Sequence, residues 1–119
     1  MITKQPPMTI SILDRQTSAI VHMRPIIDSV CSMLRVTEAE LRGRSRANRF
    51  VEARGVVALF TRKHTKLTYA EIGQVIDRDH STVIHCLNIM DRRLKSDEWI
   101  KNVVRVLDNE IEQKLKLIS

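Results

Sequence analysis

The sequence predicts an all-α domain of about six helices that follows a short N-terminal segment. Apolar residues recur at spacings of three and four, most regularly from Val83 to Leu94, as they do on the buried side of a helix. Thr37 and Thr68 are each followed three residues later by a glutamate, a pattern typical of a capped helix start. No segment alternates between apolar and polar residues as a half-buried strand does. A chain of 119 residues is long enough to bury the core of one such domain.

The N-terminal segment, residues 1–24, is expected to lie outside the domain proper, which comprises residues 25–119. Its first residues include two adjacent prolines and have no periodicity, which favours a loose arm, and Ser11–Met23 can form an extra helix. The chain has neither the charged-then-apolar start of a signal peptide nor an apolar run near the ~20 residues of a membrane span. Cys31 and Cys86 lack the spacing of a redox or metal motif, so we expect buried thiols in a reducing compartment. These observations predict a cytoplasmic protein.

Two helices and a basic stretch come next. Pro25 suits the first turn of a helix, which apolar residues at spacings of three and four continue to about Val36. Thr37 caps a short helix that Gly43 ends. The basic stretch Arg42–Arg49 holds arginine at every second or third position and no apolar side chain larger than alanine. It therefore predicts an exposed connection between helices.

The middle of the chain is predicted to form a long helix, from about Asn48 to about His64, and a short one that Thr68 caps. Gly55 interrupts the long helix at a cost of about 1 kcal/mol in helix propensity, which favours close packing against another element. Gly73 has no side chain to keep another helix at a distance, so it suits a close helix crossing. The residues expected to face the core are Phe50, Val51, Ala53, Val57 and Phe60 in the long helix, and Ile72, Val75 and Ile76 in the short one.

Two further helices complete the predicted fold. After a turn at Asp77-Arg78, Asp79 can cap a helix with a regular apolar stripe. The polar face of that helix carries His80, Ser81, His85, Asn88 and Arg92. A last helix follows Asp97, and we expect Trp99, near its start, to fill the core.

The apolar stripe of the last helix is longer than the domain needs. It continues through Ile111 and Leu115 to Ile118, which would project bare beyond the rest of the fold. Exposed stripes of this kind usually find a partner. Two candidates remain for burying this stripe: the extra helix over Ser11–Met23, or a second copy of the chain in a homodimer.

The positive charge of the chain is concentrated in one segment. Eight basic residues and a single acid, Glu52, lie between Arg42 and Lys66, an excess larger than the +6 net charge of the whole chain. Such a cluster is typical of a protein that binds a polyanion. Aromatic residues make up 3% of the chain, too few for the stacking surfaces that bind single strands, so the cluster favours duplex DNA.

Enzyme and metal functions find no support in the sequence. His80 and His85 are five residues apart, which is not the spacing of helical metal ligands, and no third ligand lies nearby. Cys86 lies near the core stripe rather than where a nucleophile would be exposed. With only three glycines the chain has no loop that could cradle a nucleotide phosphate. We therefore expect no catalysis, no cofactor, no metal and no nucleotide.

The second half of the chain contains a helix-turn-helix pattern. Leu67–Ile76 predicts a first helix, and Arg78–His85 predicts a tight turn and the start of a second helix rich in small polar residues. Side chains of this size at a helix start reach base edges in the major groove without long flexible stems. The sequence therefore predicts a sequence-specific binder of duplex DNA.

These residues resemble a known family. Ala70–Gly73 and Arg78–His85 resemble the signature of the C-terminal DNA-binding domain of the bacterial replication initiator DnaA, and Phe50–Arg54 resembles the start of the long helix of that domain. The resemblance covers about Pro25–Leu107. It implies that the start of the second helix enters the major groove and that one arginine of the basic stretch enters the neighbouring minor groove.

The resemblance also implies which residues contact DNA. Arg44 and Arg46 both stay open as the minor-groove arginine. The full set of expected DNA-binding residues is Arg44, Arg46, Arg49, Arg54, Lys66, Arg78, Asp79, His80, Ser81, Thr82 and His85. Three positions depart from the family pattern: Ser81, where threonine is common; Gly55, where glutamine is common; and Asp77, where glycine is common.

The chain lacks the ATPase domain that DnaA carries. It is therefore expected to be either a piece of a larger protein or, as the unrelated residues 1–24 favour, a small independent regulator of replication initiation or transcription. A second interpretation is a protein-interaction module that self-associates or pairs with a replication protein through its last helix, with residual DNA binding.

Overall fold

A computed structural model of the chain describes residues 22–118, and over this range the predicted all-α fold is confirmed. The described residues form six helices and no strand: α1 over 22–34, α2 Glu38–Arg42, α3 Asn48–His64, α4 Tyr69–Ile76, α5 His80–Ser96 and α6 Glu98–Ile118. Helix α1 is already present three residues before the expected start at Pro25. The helix predicted over Ser11–Met23 lies outside the described residues, except for its last two, which belong to α1.

The predicted threonine caps start both short helices. The Thr37 hydroxyl accepts a hydrogen bond from the Glu40 backbone N–H at 3.0 Å, while the Glu40 carboxylate accepts one from the Thr37 N–H at 2.9 Å. Thr68 and Glu71 make the same reciprocal pair at the start of α4. These bonds satisfy backbone donors that have no partner inside a helix, which matters most for helices as short as α2 and α4.

Helix α3 lies at the centre of the domain and packs against α2, α4 and α5. A Cβ placed on Gly55 would lie 2.8 Å from the Met90 methyl of α5, which confirms the predicted close packing. Phe60 is buried in the core as expected, whereas the prediction for Val51 is wrong, because its side chain is 39% exposed. Val51 lies two residues before the buried Ala53, so the helical period turns it to another side of α3.

The apolar stripe of α6 is covered within the chain as far as Leu115, whereas Ile118 is 40% exposed. Ile111 is fully buried and Leu115 is 9% exposed, and both belong to one core cluster with Ile26 and Val30 of α1. Lys114 of α6 donates a 2.7 Å hydrogen bond to the hydroxyl of the buried Ser29 of α1. The expectation that this stripe would project bare is therefore wrong for Ile111 and Leu115.

The start of α6 also differs from the prediction. Trp99 is 52% exposed and does not fill the core. The buried stripe of α6 starts instead at Ile100 and continues at Leu107, and the helical period turns Trp99 away from that line. None of the helices between residues 22 and 118 is long and apolar enough to cross a membrane.

Candidate nucleic-acid interface

The predicted helix-turn-helix is formed by α4, a tight turn and α5, and these two helices pack against each other. Asp77 ends α4 in the left-handed region (φ 55°), and the Arg78 N–H donates a 2.8 Å hydrogen bond to the Gly73 carbonyl. A Cβ on Gly73 would overlap the carbonyl of Arg78 and touch Val83. The chain therefore folds directly back over Gly73, which fixes the angle at which α5 leaves the turn.

The start of α5 exposes polar side chains. Asp79 caps the helix, since its carboxylate accepts a 2.9 Å hydrogen bond from the Thr82 backbone N–H, and that bond lowers the pKa of the Asp79 carboxyl. His80 and Ser81 are exposed in the first turn, and Thr82 is half-buried beside them. One turn further along the helix, His85 is also exposed. Donors and acceptors thus cluster at the end of α5 nearest the turn.

The connection between α2 and α3, residues 43–47, is called the basic loop below. Its shape depends on Arg54 of α3, which is only 4% exposed. The Arg54 guanidinium donates four hydrogen bonds to backbone carbonyls, namely those of Glu40 (3.0 Å), Leu41 (2.7 Å), Gly43 (2.9 Å) and Ser45 (2.7 Å). The structure thus adds contacts with the protein backbone to the DNA contact that the sequence predicts for Arg54, and that DNA contact stays a prediction.

Two more arginines join the basic loop to the helix-turn-helix. Arg78 donates to the carbonyl of Gly43 at 2.6 Å and to those of Ile76 and Asp77. Arg42, at the end of α2, donates to the carbonyls of Gln74 and Val75 at 2.8 and 2.9 Å. The loop is therefore held from α3 on one side and from the turn on the other.

The two arginines left open as minor-groove residues have different surroundings. Arg44 pairs with the Asp77 carboxylate at 3.3 Å and also approaches the Asp77 carbonyl. Arg46 is exposed and makes no hydrogen bond or ion pair within the described part of the chain. Both therefore lie on the loop, but Asp77 restrains Arg44 alone.

A cleft of about 510 Å³ lies between the basic loop, the start of α3 and α5. It brings together six of the eleven predicted site residues with three that were not predicted to belong to the site. The lining residues are Arg44, Arg46, Val51, Arg54, Arg78, Thr82, His85, Cys86 and Ile89. None of these is acidic, so the cleft presents positive charge from two elements that are far apart in sequence.

Charge and burial shape the chemistry of the cleft. Burial lowers the pKa of Arg54, and the neighbouring cations Arg78 and Arg44 lower it further. Burial also raises the pKa of the Cys86 thiol, which favours its neutral form. Of the four arginines that line the cleft, Arg44 alone pairs with a carboxylate within the described residues, that of Asp77. The cleft therefore keeps a net positive charge that an anion such as phosphate can neutralise.

The remaining predicted site residues lie outside the cleft. Asp79, His80 and Ser81 are exposed at the start of α5, adjacent to the wall formed by Thr82. Arg49 lies over the Phe50 ring at 5.1 Å. Lys66 is exposed in the connection between α3 and α4.

Sequence reasoning missed two structural residues, Arg42 and Asp77, which hold the basic loop against the turn. The sequence did mark Asp77 as unusual, because it replaces the glycine that the family commonly has at the turn. Arg42 was counted only as part of the basic cluster, because no spacing rule links it to carbonyls 32 and 33 residues further along the chain.

Comparison with known proteins gives one family and a consistent set of relatives. The family model described as the bacterial dnaA protein helix-turn-helix matches residues 23–89. The chromosomal replication initiator protein DnaA of Oleidesulfovibrio alaskensis is 30% identical over 100 residues, which is 84% of this chain and 22% of that protein. The protein of the same name from Borreliella burgdorferi is 33% identical over 81 residues, which is 67% of this chain and 17% of that protein. The matches thus span about a fifth of the length of these relatives.

Proposed function

The chain belongs to the bacterial DnaA helix-turn-helix family, a family of DNA-binding domains, and we propose that it binds double-stranded DNA sequence-specifically through α5 and the basic loop. The cleft carries this proposal. It places an exposed basic loop and the polar start of α5 on one face of the molecule, with cations and no acid between them. A duplex that meets this face offers two neighbouring grooves and the phosphate backbone that separates them.

The start of α5 is proposed to read the major groove. Its first turn is exposed, and Asp79 fixes the backbone there by capping the helix. His80 and Ser81 then extend from a rigid element, and their ring nitrogens and hydroxyl can bond base edges. Thr82 and His85 are proposed to contact the adjacent phosphates, a role that their position at the cleft supports.

The basic loop is proposed to reach the neighbouring minor groove with Arg46. Arginine is well suited to a narrow groove, whose negative potential attracts the guanidinium. Arg46 has no protein partner among the described residues, whereas Arg44 would first have to leave Asp77. Arg44, Arg78 and Arg49 are proposed to contact the phosphate backbone, together with Lys66.

The biological setting is proposed from the relatives. These relatives are named chromosomal replication initiator proteins, and this chain matches about a fifth of their length. A domain that binds a similar DNA site could control initiation by occupying that site, or could regulate a promoter that contains it. The 25–119 unit is proposed as the DNA-binding domain in either setting.

The proposal is tested by substituting His80. The first step is to select binding sites from random duplexes with the whole chain, and the second is to compare affinities for the selected and a scrambled duplex. His80→Ala is expected to reduce affinity for the selected duplex by about 1–3 kcal/mol and to leave the scrambled duplex almost unaffected. Gln113→Ala, at an exposed position on α6, is the control. Equal losses on both duplexes would contradict base readout by His80, and failure of the wild type to select any site would contradict the proposed function.

The alternative function, a self-associating interaction module, has one supporting observation. Trp99 and Val106 of α6 are 52% and 46% exposed, and their spacing of seven places them on one side of the helix. The stripe that first suggested an interface, at Ile111 and Leu115, is buried within the chain. DNA binding is therefore the function that the geometry supports better.

A further inference from the structure

We propose that Arg54 is a positioning residue that holds the basic loop at a fixed distance from α5, so that the domain accepts only DNA sites with one spacing between minor-groove and major-groove contacts. This proposal rests on the duplex binding proposed above. It concerns how the site obtains its specificity. It gives Arg54 a role that acts through the basic loop, and a direct DNA contact of Arg54 stays a separate prediction.

The contacts of Arg54 follow the path of the chain through the end of α2 and the basic loop. The guanidinium bonds the carbonyls of Glu40 and Leu41, in the last turns of α2, and then those of Gly43 and Ser45 in the loop. The last carbonyls of a helix have no partner within it. A five-residue helix is also too short to be stable without tertiary support. Arg54 supplies both the missing donors and the tertiary contact.

The burial of Arg54 shows that its charge is directed inward. At 4% exposure it has lost most of its hydration, and it forms no ion pair among the described residues. Burial is the largest cause of its lowered pKa. Four carbonyl oxygens compensate for the lost water, and removing the guanidinium would take one donor from each of them. The Gly43 carbonyl would keep Arg78, and the Glu40 carbonyl would keep the Gly43 N–H.

The carbonyl of Gly43 connects the loop to the helix-turn-helix. It accepts from Arg54 at 2.9 Å and from Arg78 at 2.6 Å, which uses both of its lone pairs. Arg42 adds two bonds from the end of α2 to the last carbonyls of α4. Together, Arg42, Arg54 and Arg78 join α2, the basic loop, α3 and the turn into one unit. Arg46 and His80 are therefore held at a fixed separation before DNA arrives, which lowers the ordering cost of binding.

Arginine is required for this role because of its geometry. Its planar fork directs five donors along fixed directions, whereas the lysine ammonium is a compact charge with three donors. Lysine at position 54 would keep the positive charge but could not reach four carbonyls spread over six residues of chain. A phosphate contact, by contrast, tolerates lysine well. Arg54→Lys therefore keeps the positive charge at position 54 but removes the contacts that position the basic loop, so it tests the two effects separately.

The test compares wild type, Arg54→Lys and Arg105→Lys. Arg105, exposed on α6, receives the same substitution as a matched control. Each protein selects sites from random duplexes, and its affinity is measured for the wild-type site, for that site with one base pair inserted between its two halves, and for a scrambled duplex. Circular dichroism melting establishes that each variant is folded at the assay temperature.

Arg54→Lys is expected to lose about tenfold or more in affinity for the wild-type site. Its affinity for the scrambled duplex should stay within about twofold of the affinity of the wild-type protein. The variant should lose preference at the bases read by the loop, keep it at the bases read by His80, and discriminate less against the inserted base pair. Arg105→Lys should match wild type. An Arg54→Lys protein that selects the wild-type site and rejects the insertion equally well would overturn the proposal.

A second variant covers the case in which Arg54→Lys does not fold. Arg78→Lys removes the bond to Gly43 from the other side, at a residue that is only half-buried. It should also relax discrimination against the inserted base pair, and unchanged discrimination would overturn the proposal. If the wild type itself selects no site, the proposed function fails rather than this inference.

Discussion

Arginine side chains act in two ways on the proposed DNA-binding face. Arg42 and Arg54 donate to backbone carbonyls and shape the face from within, whereas Arg46 is exposed and has no partner among the described residues. Arg44 is intermediate, because its partner Asp77 also lies at the surface. The number of cations in the segment thus exceeds the number whose side chains have no partner among the described residues.

Asp77 is predicted to restrain Arg44 and so weaken binding to unselected DNA. Asp77→Asn should keep the turn, since asparagine tolerates the left-handed region that Asp77 occupies, and should let Arg44 contact its phosphate without first leaving the Asp77 carboxylate. Because exposed ion pairs contribute less than about 1 kcal/mol, we expect affinity for scrambled duplex to rise by about two- to fivefold. The slope of log K against log salt should steepen by up to about 0.9.

The control for this prediction is Asp91→Asn. Asp91 lies on α5, about 18 Å along the helix from Asp79, and pairs with Lys95 at 3.4 Å. The substitution changes the net charge by the same amount. Fluorescence anisotropy measures the affinity of both variants for scrambled duplex. If both gain equally, Asp77 acts through overall charge, and the prediction that it restrains Arg44 is wrong.

At the scale of helices, the sequence predicts the elements well where local chemistry decides them. Thr37, Thr68 and Asp79 cap helices as expected, because a cap depends on residues only three positions apart. Trp99 and Val51 were wrongly assigned to the core, because a helix with apolar residues on several sides leaves its orientation to tertiary packing. The backbone contacts of Arg54 were not predicted for a related reason, since its fork bonds carbonyls 9 to 14 residues away through folding of the loop.

Because α5 approaches α4 closely, we predict that substitution by alanine destabilises the protein far more at Gly73 than at Gly55. A methyl group on Gly73 would overlap the Arg78 carbonyl, which belongs to the turn and cannot move without opening it, so Gly73→Ala should destabilise by about 2–3 kcal/mol. A methyl group on Gly55 meets only the flexible end of Met90. Alanine also gains about 1 kcal/mol of helix propensity there, so Gly55→Ala should stay within about 1 kcal/mol of wild type.

Urea unfolding of the two alanine variants, followed by circular dichroism, measures this difference. The pair is matched because each variant adds one methyl group at a buried helical glycine. Similar free energies of unfolding for both variants would contradict the rigid α4–α5 crossing described above.

At the scale of the whole molecule, the salt dependence of DNA binding measures how many cations reach phosphates. Arg42 and Arg54 are engaged with carbonyls, and Lys63 pairs with Asp108 at 2.6 Å, so we expect about four phosphate contacts and a slope of log K against log salt of about −3 to −4. Lys66→Ala should reduce the magnitude of the slope by about 0.9, and Lys63→Ala should leave it unchanged. A wild-type slope flatter than about −1 on duplex DNA would exclude phosphate binding by this cluster.

The oligomeric state follows from what covers α6. Ile111 and Leu115 lie in one core cluster with residues of α1, and the Lys114–Ser29 hydrogen bond joins the two helices, so a second copy is not needed to bury them. We therefore expect the full chain to sediment as a monomer at tens of micromolar and to occupy one DNA site per chain. A monomer presents one α5 to the duplex, whereas a homodimer would require paired half-sites about one helical turn apart. Analytical ultracentrifugation, with and without a duplex that carries one selected site, distinguishes the two. A dimer that dissociates on Trp99→Arg would contradict the monomer and identify the exposed side of α6 as the interface.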